Sequence, residues 1–190
     1  MSPFEYLLLF AAVILGLAVS ELAIATHRLV SAGARVRWGW LAPLAAIVAF
    51  LKIITQWWAW YAGESLPGGL HFEMFVGVVF GGVLLFLLAA TALPETHNTA
   101  EIDLADHYQQ VRRRFWLLFA AHWVVATAVS IWAQVSLAGA HYSGFTWAYL
   151  VVPVALALAF IRSRWLHGMA LLAFTGLYVA QFFGQQLVHR

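Results

Sequence analysis

Residues 40–61 read WLAPLAAIVAFLKIITQWWAWY. The stretch holds a single charge, Lys52, and closes on a run of tryptophan and tyrosine. As an α-helix rising about 1.5 Å per residue it is about 33 Å long, enough to cross a hydrocarbon core of about 30 Å. Its terminal rings suit headgroup depth, where amphipathic aromatic side chains settle. Apolar runs of the same kind fill the rest of the chain: about 4–26, 72–93, 115–135, 147–161 and 166–187, joined by short loops and by one longer loop, 94–114. The sequence therefore predicts an all-α polytopic membrane protein, with six transmembrane helices forming one domain over residues 1–190.

Composition supports that reading. The chain is 64% hydrophobic and 9% charged, whereas soluble domains carry roughly a quarter charged residues. The spans leave no room for a separate soluble domain, so any chemistry belongs inside the bundle or in its loops. Without cysteine there are no disulfides, thiolate metal sites or thiol nucleophiles. A formal charge of +2 with no basic tail gives no reason to expect nucleic acid as a partner; the expected partner is the lipid bilayer. Ala18-Val19-Ser20 imitates a signal-peptide cleavage site, but the segment before it has Glu5 and no Lys or Arg, so span 1 is expected to be retained.

Charge placement predicts orientation. Arg28, Arg35 and Arg37 lie between spans 1 and 2, Arg112, Arg113 and Arg114 precede span 4, and Arg162 and Arg164 occupy the turn before span 6. The alternate loops, 63–69 and 139–145, have no Lys or Arg. By the positive-inside rule both termini are outside and the 94–114 loop is cytoplasmic. Within that loop Thr99 is positioned to cap a short surface helix leading into span 4, with Ile102, Ala105, Tyr108 and Val111 as its apolar stripe.

Two stretches echo one another. Trp38-Gly39-Trp40-Leu41 with Pro43 matches Trp147-Ala148-Tyr149-Leu150 with Pro153, and Leu8 to Ala12 matches Leu117 to Ala121. Two such three-helix halves would form a 3+3 inverted repeat, as in many transporters. Lys52 would then lie deep while its counterpart Arg162 sits at the surface, making the halves unequal.

Polar residues inside spans are costly, about 2.5 to 3.5 kcal/mol for a charge at a helix centre, and call for partners. Glu21 lies about 10 Å along its helix from Arg28, and His122 about 12 Å from Arg114, so the two share a depth and are expected to meet as a proton relay. A neutral pair that only locks helices is the structural alternative. Lys52, about 21 Å along from Trp38, is expected to pair with Glu73, or with Glu64, with Gln56 one turn further on. Gln134 and Gln181 extend the polar set toward the outer ends.

Histidines His71 and His141 fall near outer ends, and His122 and His167 on the cytoplasmic side, a depth pattern that bis-histidine haem b would need. No span carries both members of such a pair, so no cofactor is expected. His97 with Glu101, and Asp103 with His107, have helical four-residue spacing without a dense ligand cluster, so no metal site is expected. The chain has no glycine-rich phosphate loop, zincin histidine pair or nucleophile elbow, and no enzyme class is indicated.

Through Phe4-Glu5-Tyr6, Leu15-Gly16-Leu17-Ala18 and Gln56-Trp57-Trp58 the chain resembles a widespread group of small bacterial multi-pass inner-membrane proteins. The resemblance covers mainly the first 60 residues and implies location, not activity. The expected function is movement of a proton, ion or small solute through the bundle by Glu21, Lys52, Glu73, Gln56 and His122. The rival expectation is an accessory or assembly subunit, in a homo-oligomer or larger membrane complex, docking through Gly77, Gly81 and Gly82 on span 3.

Overall fold

A computed structural model describes residues 3–62, 71–95, 101–138 and 148–188. These form six helices: α1 (Pro3–Ala32), α2 (Leu41–Ala62), α3 (Phe72–Ala92), α4 (Leu104–Ala138), α5 (Ala148–Phe160) and α6 (Arg164–Val188). Among the described residues, α1 to α4 are long and apolar enough to cross a membrane. The 13-residue α5 is about 20 Å long, short of a bilayer core. The chain is thus a helical protein with several apolar helices, as a membrane protein requires.

Helix α2 is the spine. Ala42, Ala45, Val48 and Ala49 are fully buried along it, and these small side chains let α1, α3, α4 and α6 approach. Helix α3 lies between α1 and α4, and α5 packs on the other side of α4. Large apolar residues such as Leu9, Val13, Leu17, Phe80 and Leu172 face outward. A bilayer accepts that surface, and water would not. The glycines of α3 are taken up inside the bundle: an added Cβ at Gly82 would lie 3.1 Å from Ile14 of α1, and one at Gly77 would collide with Val129 of α4.

Among the described residues, 94–114 forms no separate surface helix before span 4. Helix α4 starts at Leu104 and runs 35 residues, about 52 Å, without a break. No glycine or proline interrupts residues 104–123, and Leu104, Tyr108, Phe115 and Phe119 continue one buried stripe, each fully buried. Asp103 caps the helix: its Oδ1 accepts from the backbone N–H groups of Ala105 (2.8 Å) and Asp106 (3.1 Å). Thr99 lies outside the described residues.

Just before α4, β2 (Ile102–Asp103) pairs in parallel with β1 (Val36–Arg37), which follows α1; Val36 is opposite Ile102 and Arg37 opposite Asp103. Arg37 also reaches the carboxylates of Asp103 (3.5 Å) and Glu101 (3.7 Å). The Asp106 N–H holds the Asp103 carboxyl below its ordinary range, helped by the Ala105 N–H, Arg37 and Arg164 and against partial burial. Glu101 and Asp103, read from spacing as metal-ligand types, serve here as an ion-pair partner and a cap.

Candidate functional site

Lys52 and Gln56 stand one turn apart on α2, so their side chains share a face. Both are buried, 6% exposed, and the Lys52 Nζ donates to Gln56 Oε1 at 3.1 Å. From α4, His122, fully buried, brings Nε2 to 3.0 Å from the same oxygen. Its Nδ1 lies 3.1 Å from the carbonyl oxygen of Gly81 on α3. Trp123, the next residue on α4, lays its ring 4.3 Å from the Lys52 ammonium, a cation–π contact. Side chains of two helices, α2 and α4, thus meet on one amide oxygen, and α3 is joined to it through His122.

The predicted site residues separate into two sets. Lys52, Gln56 and His122 come together. Glu21 does not join them: it is half-buried on α1, and α3 stands between α1 and α4. Equal depth did not place Glu21 beside His122, whose two nitrogens face Gln56 and Gly81. Glu73 is exposed in the first turn of α3, and the Lys52 ammonium faces Gln56 and Trp123 instead. Glu64 is outside the described residues. Gln134 turns to Ser130 of its own helix, 3.2 Å away. The Trp123 contact and the Gly81 carbonyl were missed from sequence, although Trp123 is the one tryptophan that falls well inside a span.

Donor and acceptor rules constrain the cluster. The Gly81 carbonyl only accepts, so His122 Nδ1 carries a proton. Gln56 Oε1 accepts from Lys52 and, in the same orientation, from His122 Nε2 if that nitrogen is protonated as well. With the amide turned by half a rotation, its NH2 donates to an unprotonated Nε2. His122 is therefore held between two acceptors in one amide orientation and between an acceptor and a donor in the other. Beyond Trp123 a cavity of about 410 Å³ opens between α4, α5 and α6, with Phe174, Tyr178 and the exposed Gln181 on its wall.

A second polar cluster ties the other end of α4 to α5 and α6. His167 Nε2 donates to the Ile161 carbonyl (3.0 Å). Its Nδ1 receives the Trp116 indole N–H (2.9 Å) and lies 2.9 Å from the Tyr108 hydroxyl, which is 3.1 Å from the same indole nitrogen. Arg112 adds donors to the Ala159 and Ile161 carbonyls. An indole N–H only donates, so His167 is neutral with its proton on Nε2. Among the former haem candidates, both nitrogens of His122 and of His167 are engaged. His71 is exposed with its ring at 5.5 Å from Trp132, and His141 is outside the described residues. Among the described residues no group of three His, Asp or Glu side chains gathers as metal ligands would.

Comparison with protein-family models, curated proteins and solved structures finds no match to this chain.

Proposed function

We propose that the chain is a six-span protein of the bacterial inner membrane, with both termini outside, that moves protons through its bundle by way of Lys52, Gln56 and His122. The observation that carries this reading is the single amide oxygen shared by two ionisable nitrogens, Lys52 Nζ at 3.1 Å and His122 Nε2 at 3.0 Å. An ionisable residue that faces the interior of an intramembrane bundle is a functional-site candidate by default.

The relay has two states with the same net charge. In the first, His122 is neutral and the Gln56 NH2 donates to Nε2, and the Lys52 ammonium, which cannot face another donor, has swung off the amide onto the Trp123 ring. In the second, Lys52 has given a proton to Nε2 through one intervening water, and the amide has turned so that its oxygen accepts from the imidazolium and from the remaining amine N–H. No charge is added to or removed from the site, so the desolvation cost of a second cation is avoided. The cavity beyond Trp123 supplies room for water on one side. Glu21 and Glu73 have no part in this path. The resemblance over the first 60 residues agrees with the location and is silent on the activity.

Proteoliposomes with an internal pH dye test the reading. The parent is expected to pass protons down an imposed gradient, and Gln56→Leu and His122→Phe are expected to lose at least about tenfold of that flux while keeping their helical content. A parent that moves no proton under any gradient, or a Gln56→Leu variant with parental flux, overturns it. A silent parent that copurifies with a stoichiometric partner leaves the accessory-subunit reading in its place.

A further inference from the structure

All eight acidic residues of the chain lie at or before Asp106, while Arg112, Arg113, Arg114, Arg162, Arg164 and Arg190 lie after it. The C-terminal part of the bundle has no carboxylate of its own. Of the acids at the α4 start, Glu101 and Asp103 pair with Arg37, and among the described residues the exposed Asp106 makes no ion pair. Arg112 is spent on the carbonyl end of α5, and Arg164 lies within electrostatic range of Asp103. Arg113, Arg114 and Arg162 remain exposed where α4, α5 and α6 meet.

The junction that carries them is fixed. Arg112 and His167 both donate to the Ile161 carbonyl, which pins the turn holding Arg162. The Arg113 guanidinium lies 5.1 Å from the Phe160 ring, a cation–π contact that holds it at the end of α5. Apolar surface adjoins the charges: Phe160 is 62% exposed and Trp165 78% exposed. A cation cluster without counter-charge among the described residues, set beside exposed rings at a helix-end level, matches a ligand that is anionic at one end and apolar at the other.

We infer that Arg113 and Arg162, flanking Phe160, clamp the phosphate of an anionic phospholipid whose acyl chains lie along the outer face of α4 and α5. Guanidinium groups bind phosphate oxygens in pairs, which gives a defined headgroup position rather than diffuse attraction. A soluble phosphate satisfies the arginines but leaves Phe160 and Trp165 bare, and an acidic protein has no need of the acyl-facing surface below them. The inference rests on the membrane location and not on the proton path, so either can fail alone.

Native mass spectrometry tests it, with the full chain released from nanodiscs of mixed phosphatidylglycerol and phosphatidylethanolamine. The parent is expected to retain phosphatidylglycerol selectively, and the Arg113→Gln, Arg162→Gln double variant to lose about tenfold or more of that retention with an unchanged melting temperature. The control Arg28→Gln, Arg35→Gln, on the α1 side, is expected to keep it. Equal retention by the double variant, or an equal loss in the control, overturns the clamp. Displacement of the lipid by millimolar inorganic phosphate would show that the site reads phosphate alone, and would overturn the lipid assignment.

Discussion

His122 and His167 sit on neighbouring helices, both fully buried and each with both ring nitrogens occupied, yet their surroundings give opposite proton accounts. His167 has the Ile161 carbonyl as acceptor on one nitrogen, and on the other an indole that can only donate together with the Tyr108 hydroxyl, whose oxygen takes up the same indole N–H and whose hydrogen is left to turn toward Nδ1. A second ring proton there would meet the Trp116 N–H head on. His122 has a carbonyl on one nitrogen and, on the other, an amide that presents either an oxygen or an NH2. The environment of His167 accepts one protonation state, and that of His122 accepts two. Burial is the same for both, so the polarity of the partner and its freedom to turn separate a lock from the site proposed as a relay.

The strongest break in the comparison comes from removing the lock. His167→Leu deprives Ile161 of a donor and leaves Trp116 and Tyr108 only each other, for a loss of about 2 to 4 kcal/mol. The check is thermal melting in detergent, and the surviving folded fraction should pass protons at the parental rate. His122→Leu should cost less, about 1 to 2 kcal/mol, because Gln56 keeps Lys52 as its donor. Its main effect is on flux, and a melting loss equal to that of His167→Leu would erase the distinction.

Lys52→Met sharpens the relay side. It removes a buried cation and replaces it with a flexible apolar side chain of similar length, so stability should change by less than about 1 kcal/mol, or rise, while flux is lost. Glu73→Gln is expected to be silent within about 0.5 kcal/mol, since Glu73 is exposed and away from the ammonium. A large loss from Glu73→Gln would revive the pair expected from sequence.

The smallest effect lies at the start of α4. The folded-state pKa of Asp103 is depressed, first by the Asp106 N–H, so its stabilising contribution is fully present above the unfolded value and fades as pH falls through the folded one. Hydrogen exchange at Ala105 and Asp106 should therefore quicken in acid, beyond the ordinary pH dependence of exchange. Asp103→Asn, which keeps the cap oxygen, should remove that extra dependence.

What the sequence disclosed and what it withheld divide along a physical line. Hydropathy gave the helices, and a polar side chain inside an apolar run was the sign that singled out Lys52, Gln56 and His122, which are buried in the bundle. It gave no rotation about a helix axis and no order of neighbours. Glu21 was paired with His122 at equal depth although a whole helix, α3, separates their helices. Lys52 was sent to a carboxylate because opposite charge is the obvious partner, while the residue one turn along its own helix was the one it reached. The lock at His167 was legible only as an isolated histidine, since Tyr108, Trp116 and Ile161 look like ordinary core until they are folded together. The α4 cap was hidden because Asp103 reads as a ligand type as readily as a cap.

The contact between Arg112 and the end of α5 also acts as a parity rule. If that contact stands outside the hydrocarbon of a bilayer, its two groups share a side, and the path from Arg112 to Ile161 then crosses an even number of times. The ladder between Val36 and Ile102, on the same condition, imposes an even count on the path through α2 and α3. During biosynthesis neither clasp can close until both of its intervening helices have been made, so each contact reports that the stretch between its two ends is complete.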